Sequence, residues 1–278
     1  MINAIYFCKT KQSQQTKAGK TYFSMLLQDK TGVIDAKIWD LNNGIAHFDA
    51  MDYISVIAQV VGFHGNLQLN VKQVRKAQEG EYHVADYMPC SSFNIDDMYK
   101  ELTDLMKSVK DKYLNRLLQN IFINDKEFAE KFKNHSAAKS IHHGFIGGLL
   151  QHTLAVAKLC DYYSLQYPIL NRDLLITAAI CHDIGKVDEL SEFPENDYTD
   201  EGQLIGHIVM GTMLLDGKMK EIEGFPVKLA NELKHCILAH HGELEYGSPK
   251  KPALIEALAL SFADNTDAKL QILSLIHI

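Results

Sequence analysis

Cys181-His182-Asp183-Ile184-Gly185-Lys186 decides how the second half of this sequence folds. The six residues close a segment, Asp173 to Gly185, whose apolar positions recur at helical spacing. His182 continues the stripe of Leu175, Ala178 and Ala179, Asp183 follows Ile176 and Ala179, and Gly185 is placed to cap the helix C-terminus. A carboxylate on the apolar face of a helix is costly unless it is paired or binds a cation. Asp183 therefore needs partners elsewhere in the chain.

Histidines supply them. Of thirteen in the chain, eight fall between His142 and His241. In Gly147 to Tyr163, His152 lies in the apolar stripe of Leu149, Val156, Leu159 and Tyr163. After Gly202, His207 lies with Leu204, Met210 and Leu214. In the helix opened by Pro226, His240 extends Leu229, Leu233 and Cys236, His241 extends Ala230 and Ile237, and Gly242 ends the helix. After Pro252, Asp264 follows Ala257 and Leu260. A single inward histidine such as His207 is more often a hydrogen-bonded core residue than a ligand. Five histidines and two aspartates facing one bundle interior cannot readily satisfy one another, whereas one or two divalent cations would satisfy them all. Imidazole nitrogens favour Mn²⁺, Fe²⁺, Co²⁺, Ni²⁺ or Zn²⁺ over Mg²⁺, so one or two divalent transition-metal ions, Mn²⁺ foremost, are the expected cofactor.

At 278 residues the chain has room for two domains. With 46% hydrophobic and 23% charged residues it is globular in composition, not disordered. It contains no apolar run of about 18 residues, and Met1 to Thr10 lacks the features of a signal peptide, so no membrane partner and a cytoplasmic location are expected. Five scattered cysteines without a CxxC pair read as reduced thiols, not as disulfides or a zinc site. The net charge of −7 is uneven: residues 1–85 carry nine Lys/Arg against seven Asp/Glu (+2), and the remainder nineteen against twenty-eight (−9). The first part tolerates a polyanion; the acidic remainder needs bound cations to accept one.

Residues 1–85 read as five short strands, Ile2 to Phe7, Tyr22 to Gln28, Val33 to Trp39, Tyr53 to Val61 and Leu67 to Val74, with a polar, basic loop from Lys9 to Lys20. Turn signals stand at Asp29-Lys30-Thr31-Gly32 and at Gly62 to Asn66. In the third strand Ile34, Ala36 and Ile38 share the core face while Asp35, Lys37 and Trp39 share the outer one. Such a set predicts a small closed all-β barrel. From about Asp86 the period becomes helical. Residues 86–140 are expected to form a helical linker, with Asn94 capping a helix from Ile95 to about Val109 and further helix in Leu114 to Phe122 and Lys126 to Phe132. An all-α domain follows. The last six residues, Leu273 to Ile278, coincide with an in-frame translation of a common transposase sequencing adaptor. The native sequence is therefore expected to end near Ile272, and His277 is left out of the site.

The ordered series His152, Cys181 to Lys186, Gly206-His207, His240-His241 and Ala263-Asp264 resembles the HD superfamily of metal-dependent phosphohydrolases. More closely, Lys139-Ser140-Ile141-His142-His143 leading to Gly147 through Thr153, Ala263 through Lys269, and the strand pair Tyr22 to Trp39 resemble the YhaM family. Those are bacterial 3′ to 5′ exoribonucleases with an OB-fold in front of an HD domain, and the resemblance covers nearly the whole chain apart from residues expected beyond about Ile272. It implies an OB-fold in residues 1–85 and an HD domain in residues 141–272. It also implies that His152, His182, Asp183 and Asp264 hold one metal, that His207, His240 and His241 hold a second with Asp183 bridging, and that Lys186 faces the scissile phosphate. The plainer assignment for Lys186 is a solvated cation beside a helix C-terminus. His142 and His143 either contact substrate or serve structure. Asp267, one turn from Asp264, supports a ligand or lies on the helix surface.

OB-folds bind single strands through basic grooves and aromatic stacking, for which Tyr22, Lys37, Trp39, Phe63 and the Lys9 to Lys20 loop are suitable groups. In the plainer alternative Trp39 packs under a loop. The expected function is a metal-dependent 3′ to 5′ exoribonuclease acting on single-stranded RNA, with single-stranded DNA as a further substrate and Asp183 and Lys186 as catalytic residues. Two alternatives stand beside it: an HD-domain phosphodiesterase acting on a small nucleotide or cyclic dinucleotide, and a non-enzymatic nucleic-acid-binding protein. The complete ligand series with its lysine disfavours the last. No Ser/His/Asp nucleophile motif or glycine-rich nucleotide loop is present. Assembly into a homo-oligomer is left open.

Overall fold

Five strands open the computed structural model: β1 (Ile2–Gln15), β2 (Thr21–Asp29), β3 (Gly32–Ile38), β4 (Tyr53–Phe63) and β5 (Asn66–Lys76). The structure describes residues 1–41, 44–63, 65–139 and 144–276, with side chains through Leu273. The strands close into a barrel in the order β1-β2-β3-β5-β4, with β4 returning to β1. All pairs are antiparallel except β3 with β5. A three-strand meander closed by a hairpin that crosses back to the first strand is the Greek-key barrel of the OB-fold. Period-2 alternation sends Met25, Leu27, Ala36, Ile38, Ile54, Val56 and Ala58 into its core.

The Lys9 to Lys20 segment differs from the expected loop. β1 passes a bulge between Cys8 and Thr10, and Thr10 through Gln15 then pair with Leu26 through Thr21 of β2. Gln12 through Gln15 are exposed, so no apolar alternation marks this stretch and backbone pairing alone defines it.

The chain divides at Pro89/Cys90 into two units. In the second, the helices are α1 (Ile95–Ser108), α2 (Lys112–Gln119), α3 (Lys126–Asn134), α4 (Gly148–Gln166), α5 (Arg172–Cys181), α6 (Lys186–Glu189), α7 (Asp200–Ile205), α8 (His207–Lys220), α9 (Val227–Leu238) and α10 (Ile255–Ile276). Short polar side chains start many of them. Asn94, Asp111, Asp125, Asn171 and Thr199 each accept a backbone N–H of the first turn. Residues 86–140 are not a linker. From Cys90 onward the segment belongs to the helical unit, and Met98, Leu102, Met106, Leu114, Leu117, Leu118 and Phe132 share one core with α4, α5, α9 and α10. In α5 every residue from Leu174 to Cys181 is buried, which an all-round apolar helix requires. α4 and α10 pack against it, so three helices deliver their polar residues to the middle of the unit. No described helix is long and apolar enough to cross a membrane.

Candidate metal centre

His152 sits within α4 and Asp264 within α10, as the stripes predict. The other groups lie at helix ends. His182 is the C-cap of α5, Asp183 is in the turn to α6, and Lys186 opens α6. His207 is the first residue of α8, because Gly206 at φ 77° breaks the chain between α7 and α8. Leu204 is consequently 85% exposed on a separate helix and shares no stripe with His207. α9 stops at Leu238, so His240 and His241 occupy the turn after it, which Gly242 completes at φ 81°. Gly185 has φ −68° and is not a left-handed cap. Its missing side chain serves packing instead: an added Cβ would overlap the His207 carbonyl oxygen and lie 2.6 Å from the Gly211 nitrogen. The glycine lets the turn bearing Asp183 meet the start of α8.

Every one of the five imidazoles is held by its Nδ1. His152 Nδ1 faces Asp267 Oδ2 at 2.7 Å, His182 Nδ1 faces the Ala179 carbonyl at 2.8 Å, and His207 Nδ1 faces Glu189 Oε1 at 2.9 Å. His240 Nδ1 faces the Ile237 carbonyl at 2.7 Å and His241 Nδ1 the Tyr246 carbonyl at 2.8 Å. Each acceptor places a proton on Nδ1, so that Nε2 is the atom left to coordinate once the ring is neutral.

The Nε2 atoms converge on carboxylates. Asp183 Oδ2 lies 3.5 Å from His152 Nε2 and 3.4 Å from His182 Nε2, while Asp183 Oδ1 lies 3.4 Å from His207 Nε2 and 3.6 Å from His240 Nε2. Asp264 Oδ1 stands 3.2 Å from His152 Nε2 and 3.9 Å from His182 Nε2. Two groups of three side chains that could hold a metal ion result, His152 with His182 and Asp264, and His207 with His240 and His241; within each, one nitrogen or oxygen atom per side chain lies within 4.8 Å of the others. One oxygen of Asp183 faces each group.

This arrangement fits divalent cations. Asp183 Oδ1, His207 Nε2 and His240 Nε2 are buried polar atoms with no hydrogen-bond partner among the described residues, an expensive state that metal coordination relieves. The donor set, imidazole nitrogen plus carboxylate oxygen, suits first-row transition ions. Charge is matched to the task. Burial opposes ionisation of Asp183, yet Lys186 and His182 hold its carboxyl well below the usual range, and Asp264 is held down against burial by His152 and His182. Burial works against protonated His152, but Asp264 and Asp267 outweigh it and raise its pKa to about 9. Burial lowers His240 and His241, keeping both neutral and ready to coordinate.

Lys186 is not a solvated surface cation. Its side chain is 17% exposed, its ammonium pairs with Asp183 Oδ2 at 2.7 Å, and the residue lines a cavity of about 320 Å³ together with His152, His240, His241 and Asp264. Tyr246, Ser261, Asn265 and Ala268 complete much of that wall, and the sequence reading gave none of them a role in the site. Ser261 and Ala268 are one turn before and after Asp264, so helical spacing carried a signal for them. Glu189 was also missed, since α6 is too short to show a stripe. The buried thiols take no part: burial raises the pKa of Cys160, Cys181 and Cys236, the last to about 12.

On the barrel, Tyr22 and Trp39 stack with ring centroids 4.4 Å apart, Trp39 being 40% exposed. Lys37 is engaged by Ser24 Oγ at 2.6 Å and Asp35 at 2.9 Å. Phe63, 59% exposed, ends β4 in a different hairpin. His142 and His143 lie outside the described residues.

A helical unit whose core presents this ordered histidine and aspartate series carries an HD domain, and the family model described as HD domain matches residues 149–269. The 3′-5′ exoribonuclease YhaM of Geobacillus sp. (strain WCH70) is 34% identical over 259 residues, covering 92% of this chain and 78% of the relative. The 3′-5′ exoribonuclease YhaM of Bacillus velezensis is 32% identical over 271 residues, 97% of this chain and 85% of the relative. The chain belongs to the YhaM family. Among solved structures, the second OB-fold domain of replication protein A from Methanococcus maripaludis covers 29% of this chain and 85% of its own at 21% identity, with a TM-score of 0.22. The barrel is assigned from its strand order.

Proposed function

We propose that this protein is a metal-dependent 3′ to 5′ exoribonuclease that hydrolyses phosphodiester bonds of single-stranded RNA with two divalent transition-metal ions, Mn²⁺ foremost. The observation that carries it is Asp183, whose two oxygens each face one of two groups of Nε2 atoms. His152, His182 and Asp264 would hold one ion, and His207, His240 and His241 the other, with Asp183 between them. When bound, such ions lower the pKa of water and offset charge on phosphoryl oxygens. Lys186 adds a third positive centre. Its part-buried ammonium stays charged because Asp183 outweighs the effect of burial, and it faces the cavity where a phosphate oxygen would sit. The Nδ1 contacts fix all five rings before substrate arrives, which removes reorganisation from the reaction. The names of the relatives supply the substrate and the polarity of attack. In the barrel, the exposed Tyr22–Trp39 stack offers a platform for bases of the strand, in the manner of OB-folds.

The test is single-stranded RNA labelled at either end and incubated with Mn²⁺. The 5′-labelled strand should shorten through a ladder while the 3′-labelled strand releases labelled mononucleotide from the outset. Intact RNA beside rapid hydrolysis of a cyclic dinucleotide would move the function to the small-substrate alternative.

A further inference from the structure

The two ligand groups differ in charge. His152, His182 and Asp264 include a carboxylate of their own, whereas His207, His240 and His241 are three imidazoles. Each group also has one ring backed by a carboxylate: Asp267 behind His152 and Glu189 behind His207. The remaining three rings are backed by backbone carbonyls. Glu189 is held from several directions. Its Oε1 accepts from both His207 Nδ1 and the His207 backbone N–H at 2.9 Å, and its carbonyl accepts from the Thr199 backbone N–H at 3.0 Å. Gly202 packs so tightly on that carbonyl that a Cβ there would overlap it. The carboxylate is buried, and both of these bonds come from His207.

We propose that Glu189 is the positioning residue of the all-imidazole group, fixing the His207 ring and supplying the negative charge that this group lacks, so that it governs loading of one ion while Asp267 governs the other. The inference rests on the two-ion reading above. A carboxylate behind a ligating histidine raises the ligand's basicity, and its loss typically weakens metal binding 10–100-fold. The assignment to one ion and not both follows from the hydrogen bonds: among the described residues the Glu189 carboxylate bonds the His207 ring of the second group, and Asp267 bonds the His152 ring of the first.

The experiment is calorimetric titration of metal-free full-length protein with Mn²⁺, with bound metal counted by elemental analysis. Wild type should bind two ions. Glu189→Gln keeps an acceptor for His207 and removes the charge, so one binding step should weaken about 10–100-fold while the other holds. Asp267→Asn should weaken the other step. In a His207→Ala background, Glu189→Gln should have no further effect, which a general loss of folding would not reproduce. Two steps unchanged in Glu189→Gln, or both weakened equally, would overturn the inference while leaving the two-ion reading standing. A single ion in wild type would overturn that reading and the inference with it.

Discussion

Replacing Asp183 by Asn keeps the shape of the side chain and removes the charge at the centre of the site. In the metal-free protein the carboxylate is the partner of a buried Lys186 at 2.7 Å. Removing one member of a buried ion pair costs about 3–5 kcal/mol. Asp264 also attracts Lys186, so the lower end, about 3 kcal/mol, is expected here. With metal the difference grows. At a concentration of about 100 times its dissociation constant, each ion stabilises wild type by about 2.7 kcal/mol. For a unit of this size 1 kcal/mol shifts Tm by roughly 2–4 °C, so each ion should raise it by roughly 5–11 °C. Asn offers no charge to either ligand group, and the rise should nearly vanish in Asp183→Asn. Thermal melts followed by circular dichroism, in chelator and in excess Mn²⁺, give both quantities. An equal metal-induced rise in variant and wild type would refute the bridging role of Asp183.

Four further outcomes follow from the geometry of the site and the barrel. His152, raised to about 9 by Asp264 and Asp267 against burial, is protonated at neutral pH in the metal-free protein. Metal uptake must displace that proton, so Mn²⁺ affinity should climb with pH toward about 9, and calorimetry in buffers of different ionisation enthalpy should register proton release; flat affinity between pH 7 and 9 would contradict this. The same imidazolium stabilises the metal-free fold fully below the ordinary pKa of about 6.5, and that contribution fades as pH rises through about 9. Gly185→Ala forces the Asp183 turn away from the His207 carbonyl and should cost about 3 kcal/mol in denaturant unfolding along with most of the activity; a neutral effect would show that the close approach is dispensable. Trp39→Ala should raise KM for single-stranded RNA about tenfold while leaving hydrolysis of bis(p-nitrophenyl) phosphate unchanged, and an unaltered KM would remove the Tyr22–Trp39 stack from strand binding.

Much of this was legible in the sequence because burial leaves a period. The alternation of Ile34, Ala36 and Ile38 marks the barrel wall, and the 3.6-residue stripes of α4 and α10 carry His152 and Asp264 directly. The inward placement of the other histidines emerged from a partly wrong geometry. Extending the stripe through Leu204 to His207, and through Cys236 to His240, assumed continuous helices, whereas Gly206 and the turn after Leu238 break them. The imidazoles still face inward because the start of α8 packs on Gly185 and the Nδ1 contacts to Glu189, the Ile237 carbonyl and the Tyr246 carbonyl hold the three rings. The exposed half of β1 left no signal, since a ribbon solvated on both faces needs no apolar residue. Glu189 was invisible for the opposite reason: its burial depends on a contact 18 residues away with His207, which no local spacing encodes. Residues 86–140 looked like a connector because their helices are short and polar on one side, although Leu102, Leu117 and Phe132 are fully buried in the helical core.

Seven side chains are proposed to hold two ions, with Asp183 between them. Anomalous scattering from Mn²⁺-loaded crystals, recorded at the manganese edge, tests this most directly. Two peaks should stand in the cavity, one contacted by His152, His182 and Asp264, the other by His207, His240 and His241, with one Asp183 oxygen on each. A cavity without anomalous density, or a single peak from which His207, His240 and His241 stand apart, would contradict the account.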